Sequence, residues 1–116
     1  MFQRLISFTQ TGLTVQKVLV EADLFSGLPC LNILGLTETA AKDVRERIRS
    51  ALASIGYTLP AKKITVNLAP EGAEASAPKR LPADGLDLPI ALCILCADGR
   101  LPSAKNDTVA VVGNLP

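Results

Sequence analysis

The groups most able to do chemistry lie between residues 64 and 96, where a strand-like pattern is followed by a polar loop and an apolar helix. Asn67 belongs to the strand pattern, Ser76 lies in the loop, and Asp87 precedes the apolar run. A loop that links a strand to a buried helix is a common place for an active site. Asp87 and its neighbours therefore form either a working site or only the scaffold of one.

Several kinds of chemistry are excluded by residue type. The sequence contains no histidine, which removes Ser-His and Cys-His catalysis and every histidine-ligated metal site. It contains three cysteines, Cys30, Cys93 and Cys96, and the last two have the C-x-x-C spacing of redox and metal sites. The segment around that pair, residues 90–97, is wholly apolar, and the sequence has no second cysteine pair. This pattern favours buried thiols that act as small hydrophobic groups.

Composition predicts one aliphatic-cored domain. The chain has 116 residues, of which 48% are hydrophobic and only 3% aromatic, and its net charge is +1. A balanced charge indicates neither a strongly basic polyanion-binding domain nor an acidic tail. No apolar run approaches the roughly 18 residues of a membrane-spanning helix, so we expect a cytoplasmic protein without membrane contact.

The periodicity of apolar residues predicts the order β-β-β-α-β-α-β. Alternation or short β-rich runs predict strands at residues 4–9, 18–24, 30–34, 64–68 and 108–112. Three- and four-residue steps predict a helix over 37–55, and an apolar run predicts a buried helix from residue 87 to 97. This order indicates an α+β fold, a mixed sheet with helices on one face. The β-rich end of the sequence predicts that part of the sheet lies beyond residue 116.

The ends of the two predicted helices carry recognisable signals. Thr37 is expected to cap the first helix, and Gly56 follows its last apolar position as a left-handed terminus. Gly35, between strand and helix, indicates a tight turn or a close backbone approach. For the second helix we expect Asp87 to be the N-cap and Pro89 to lie in the first turn.

Three blocks of sequence together resemble one protein family. They read "SGLPCLNILGL" (26–36), "RERIRSALASIGYTLPAKKITVNLAP" (45–70) and "DLPIALCIL" (87–95). They are similar to the amino-terminal domain of the magnesium-chelatase-like, competence-protein ComM family of AAA+ ATPases, over nearly all of residues 1–116. The resemblance implies a fold like that of ribosomal protein S5 domain 2 and of the proteolytic domain of Lon. It also implies a following AAA+ module, which would bind ATP and magnesium, and a ring of identical subunits.

In the Lon-like arrangement, the nucleophilic serine begins the helix that here begins near Asp87. A carboxylate can accept hydrogen bonds at a helix start, but it cannot replace a serine activated by lysine. The lysine partner would lie beyond Pro116, and Ser76 is eleven residues upstream of Asp87. The resemblance therefore implies a pseudo-active site at Asp87, with Asn67 either hydrogen-bonded to the loop or facing solvent. The loop between Pro70 and Asp87 is longer than is usual in the family.

Three functions remain open. The first is a non-catalytic accessory domain with no catalytic, cofactor or metal residues, which supports ring assembly or engagement of a substrate or DNA. The second is a Ser-Lys peptidase, against which Asp87 argues. The third is a nucleic-acid-binding module, for which clustered cations are needed. Its candidate contacts, which could equally be solubility charges, are Lys42, Arg45, Arg49, Lys62, Lys63, Lys79 and Arg80.

Overall fold

A computed structural model describes residues 1–11, 14–70 and 85–101 as a mixed sheet with two helices. The elements are β1 (Phe2–Thr11), β2 (Thr14–Phe25), β3 (Cys30–Leu34), α1 (Glu38–Ser54), β4 (Lys63–Pro70) and α2 (Asp87–Ala97). Four strands pair in the order β1-β2-β4-β3, of which only β3 and β4 are parallel. The α+β prediction and the order of these six elements are confirmed. The predicted strand at 108–112 and most of the predicted loop, with Ser76, Lys79 and Arg80, lie outside the described residues.

Alternation along the strands gives the sheet one apolar face and one mixed face. Leu5 lies opposite Val20 on neighbouring antiparallel strands, and both are buried beneath the helices. β4 continues this face with Ile64, Val66 and Leu68, while its intervening residues are at least partly exposed. Because side chains of a strand alternate between the two faces, the period-two apolar pattern of β2 and β4 identifies the residues that these strands contribute to the core. Strands β1 and β2 extend beyond their predicted bounds.

The helices cover the apolar face in different ways. Helix α1 buries one stripe, Ala41, Val44, Ile48 and Leu52, and the amide of Ala40 donates to the Thr37 hydroxyl at 3.2 Å. Eight of the eleven residues of α2 are buried. This confirms the prediction that α2 is covered on more than one side. Gly56 has φ +85° directly after the α1 C-cap, which confirms the left-handed helix end.

Gly35, directly after β3, lies close against the backbone of β4. Its φ is +106°, and a Cβ placed there would lie 2.5 Å from the carbonyl oxygen of Leu68. We therefore expect Gly35→Ala to reduce the free energy of unfolding by about 3 kcal/mol, because backbone strain and a steric clash act together. Urea denaturation would measure this loss. Gly56→Ala is the matched control. Gly56 also has a positive φ, but a Cβ placed on it would meet no neighbouring atom within 4 Å, so the free energy of unfolding should fall by only about 1 kcal/mol. Equal losses would contradict the steric explanation.

Candidate functional site

The start of α2 differs in one respect from the sequence-based expectation. The N-cap residue is Leu86, which offers no side-chain hydrogen bond, and Asp87 is the first residue inside the helix. The prediction that Asp87 caps α2 is therefore wrong by one position. The acidic side chain still lies in the first turn, where the positive end of the helix dipole favours a negative charge.

Asp87 is held by an arginine of the neighbouring helix. Its side chain has no solvent exposure, and both carboxylate oxygens accept hydrogen bonds from Arg47 of α1. The Nε–Oδ2 distance is 2.5 Å and the Nη2–Oδ1 distance is 3.1 Å. This two-point geometry matches the planar guanidinium to the planar carboxylate. The pair therefore ties the middle of α1 to the start of α2.

Helical geometry explains why Arg47 can reach α2. At about 100° per residue, Arg47 lies roughly 100° around α1 from its buried stripe, on the side where Ala40 and Ala51 also project. Small residues above and below the arginine allow another element to approach. Arg47 was not among the predicted site residues, and its side chain is only 41% exposed. Arg47 is thus a site residue that the pattern missed.

A shallow depression of about 270 Å³ continues from Arg47 along α1, lined by Asp43, Glu46, Arg47 and Ser50. These positions repeat at three- and four-residue steps, so they share one side of the helix. Among the described residues, no three His, Cys, Asp or Glu side chains form a group that could hold a metal ion.

Asn67 does not belong to the site around Asp87. It lies on β4 opposite Glu21 of β2 and beside Leu34 of β3, and its side chain is exposed. That position is on the mixed face of the sheet, whereas Asp87 lies in the helical layer on the other face. The structure therefore separates the two residues that were expected to share a pseudo-active site.

The candidate nucleic-acid contacts that lie within the described residues form two groups. Lys42, Arg45 and Arg49 are spaced by three and four residues and form one side of α1, which we call the basic side. It lies about 140–200° around the helix from Arg47. Lys63 begins β4 and Lys62 directly precedes it, with its ammonium 3.9 Å from the carboxylate of Asp98. The predicted contacts thus include one continuous side of α1 and a separate pair.

The C-x-x-C cysteines belong to the packing of α2. The thiol of Cys93 is fully buried and lies 3.2 Å from the carbonyl oxygen of Gln3 and 3.4 Å from that of Val20. It joins α2 to β1 and β2. Burial raises the pKa of Cys93 to about 12 and also raises the pKa of Cys96. Because the thiolate is the reactive form of cysteine, these shifts agree with a structural role for the pair.

The buried thiol predicts a specific loss of stability in alkali. Its pKa is about 12 in the folded chain and 9.0 for an unperturbed thiol. As the pH rises above about 9, the unfolded chain loses this proton first, so the stabilisation is complete below that pH and is lost progressively toward pH 12. The unfolding free energy should fall by up to about 1.4 kcal/mol per pH unit from this group. Urea titrations should show a steeper alkaline fall of the unfolding free energy in the wild type than in Cys93→Ala, which retains only the smaller contribution of Cys96. Rapid alkylation of native Cys93 near pH 8 would contradict it.

The fold and the site define a small α+β domain whose buried acidic residue fastens two helices together. Among its described residues, no helix is long and apolar enough to cross a membrane. Residues 20–116 match the family described as "Subunit ChlI of Mg-chelatase". The chain belongs to this magnesium-chelatase-like family.

Named relatives agree with this assignment. The chain is 42% identical to protein YifB of Escherichia coli and 39% identical to competence protein ComM of Haemophilus influenzae. Both alignments cover 90% of the present chain. It is 30% identical to an uncharacterised protein of Mycobacterium tuberculosis over 97% of its length. It spans only 19% of the first two proteins and 21% of the third. The chain therefore corresponds to about a fifth of these relatives.

Proposed function

We propose that this chain is a non-catalytic amino-terminal accessory domain of a ComM-type AAA+ ATPase, with the fold of ribosomal protein S5 domain 2. The observation that carries the proposal is the state of Asp87. A buried carboxylate that accepts two hydrogen bonds from Arg47 is committed to holding α1 against α2. A Lon-like protease presents its attacking serine at this position, whereas this domain has Asp87, whose side chain joins two helices.

In this proposal, the remaining polypeptide of the full-length protein binds ATP and magnesium and assembles into a cytoplasmic ring. Two facts support the assignment of ATP binding to the rest of the protein. The chain corresponds to about a fifth of its relatives, which leaves ample length for a motor module. Its own sequence has no G-x-x-x-x-G-K-[ST] motif with which to cradle phosphates. The domain would support assembly of the ring or its engagement with a substrate.

Deleting residues 1–116 from the full-length protein tests the accessory role. We expect the remaining protein to hydrolyse ATP but to lose ring assembly or stimulation by its substrate. Ring assembly can be measured by light scattering, and hydrolysis by phosphate release. The proposal is contradicted if ATP hydrolysis disappears while the deleted protein remains folded. It is also contradicted if the intact protein cleaves fluorogenic peptides and Ser76→Ala abolishes that cleavage.

The basic side of α1 favours a second function, direct binding of nucleic acid. Lys42 and Arg49 are exposed, Arg45 is half-buried, and no ion pair joins any of the three to another described residue. Unpaired cations at this spacing can contact successive phosphates along a backbone. Under this alternative, α1 would present DNA to the motor of the full-length protein.

A further inference from the structure

One end of the domain carries most of the large apolar side chains that the structure leaves exposed. We call it the apolar end and define it by Met1, Phe2, Phe25, Leu28 and Tyr57. It includes three of the four aromatic residues of the whole sequence, and Leu28 is 83% exposed. Single exposed apolar residues need no explanation, but a group of this size on a small domain is typical of an interaction surface.

Side-chain contacts join much of this end into one continuous band. Tyr57 and Arg100 each follow a helix-ending glycine, and the Arg100 guanidinium lies 5.5 Å from the centre of the Tyr57 ring. Arg100 also contacts Asp98 at 2.9 Å, and Asp98 is 3.9 Å from the ammonium of Lys62. That ammonium lies 3.7 Å from the sulfur of Met1. The ends of both helices thus meet the start of β1.

The sheet register extends the band across the mixed face. Phe2 lies opposite Asp23, so Phe25, two residues further along β2, is its diagonal neighbour on the same face. Leu28 follows in the turn that leads to β3, where a Cβ placed on Gly27 would lie 3.6 Å from the Cβ of Lys63. The aromatic rings and Leu28 therefore belong to the same end of the sheet.

The charges at this end indicate the kind of partner. Arg4 pairs with Glu21 at 2.8 Å, Arg100 with Asp98 at 2.9 Å, and the terminal amine lies 3.9 Å from Asp23. These three cations are already neutralised within the domain, so they add little attraction for a nucleic acid. Exposed Met, Phe and Tyr side chains with an arginine among them are instead the composition found at the centre of protein interfaces.

We propose that the apolar end docks on an apolar protein surface provided by the remaining polypeptide of the same full-length chain. The proposal rests on the function proposed above only in requiring a longer parent protein. The relatives carry roughly four-fifths of their length outside the matched region, which is the polypeptide available to cover this end. Docking would bury Leu28, Phe25 and their neighbours and fix the orientation of the domain on its parent.

Site-specific photo-crosslinking in the full-length protein tests this proposal. A benzophenone amino acid replaces Phe25 in one variant and, as the control, Val15 in another. Val15 is equally apolar and 64% exposed, but it lies ten residues along β2, about 33 Å away. We expect Phe25→benzophenone to give an intramolecular crosslink to a residue outside 1–116, and Val15→benzophenone to give at least tenfold less.

Mixtures of isotope-labelled and unlabelled chains distinguish links within one chain from links between two copies. Crosslinks confined to residues 1–116, links between copies, links to another protein, or equal yields from both positions would overturn the proposal. A second variant, Leu28→Glu, should expose the junction between this domain and its parent to limited proteolysis, whereas Val15→Glu should not. Because ATP hydrolysis and ring assembly are measured separately, failure of docking can be told from failure of the accessory function.

Discussion

Replacing Arg47 with methionine should reduce the free energy of unfolding of the 116-residue chain by about 3–5 kcal/mol. The variant leaves Asp87 with no solvent exposure and without the guanidinium that now donates to both of its oxygens. A buried charge without a partner is among the most destabilising changes that one substitution can produce. Urea denaturation followed by circular dichroism would measure the effect.

Removing the charge of Asp87 should reduce the free energy of unfolding less than removing Arg47, because the two partners differ in exposure. In Asp87→Asn the arginine loses its counter-charge, but its side chain is 41% exposed and can turn toward water. We expect a loss of about 1–2 kcal/mol. The double variant Arg47→Met with Asp87→Leu removes both charges and should recover most of the loss seen in Arg47→Met. Equal effects of the two single variants, or strict additivity in the double, would show that the pair does not act as described.

The Asp87→Asn variant also distinguishes a structural role of the carboxylate from a direct role in activity. If Asp87 acts only through Arg47, full-length Asp87→Asn that remains folded should hydrolyse ATP at the normal rate. A loss of ATP hydrolysis without a loss of stability would instead assign the carboxylate a direct part in the reaction. The same measurement therefore tests the idea that this helix start has a structural role.

Local patterns were sufficient to predict most of the fold. Alternation of Val18, Val20, Ala22 and Leu24 identified the buried face of β2 because a strand exposes its two faces in turn. The stripe along α1, with Thr37 before it and Gly56 after it, identified both ends of that helix. These signals depend on neighbours within a few residues, so they are readable without tertiary information.

The site was harder to predict because its central contact joins residues 40 positions apart. Asp87 was recognised, but a carboxylate at a helix start suits either a cap or an ion pair, and only packing decides between them. By residue type alone, Arg47 resembles the other charged residues of α1. The available signal was its position in a row with Ala40 and Ala51, where a second element can approach closely.

The first strand shows a related difficulty. Gln3, Ser7 and Thr9 share the buried face of β1 with Leu5, and the hydroxyls of Ser7 and Thr9 have no hydrogen-bond partner within the described structure. Polar side chains at alternate positions predict a solvent-facing surface, so hydropathy alone assigns this face to the wrong side. Its burial follows from the pairing of β1 with β2, which a local pattern does not contain.

Neutralising the basic side of α1 should weaken any binding of DNA in proportion to the phosphates that it contacts. If Lys42, Arg45 and Arg49 each contact one phosphate of a duplex, their replacement by glutamine should reduce the slope of log affinity against log salt by about 2.7. Binding of the full-length protein, measured by fluorescence anisotropy between low and moderate salt, would give this slope. The matched control changes Arg4, Lys17 and Arg100 to glutamine, which removes the same net charge from other surfaces.

The control separates a local contact from a general electrostatic effect. Long-range attraction depends on net charge, so both triple variants would weaken binding equally if no particular surface were used. Direct phosphate contacts by α1 require a smaller slope in the α1 variant alone. If neither variant changes the affinity, DNA binding does not involve these cations, and their role is restricted to the solubility of the helix. The difference between the salt slopes of the two triple variants therefore decides whether α1 contacts nucleic acid in the full-length protein.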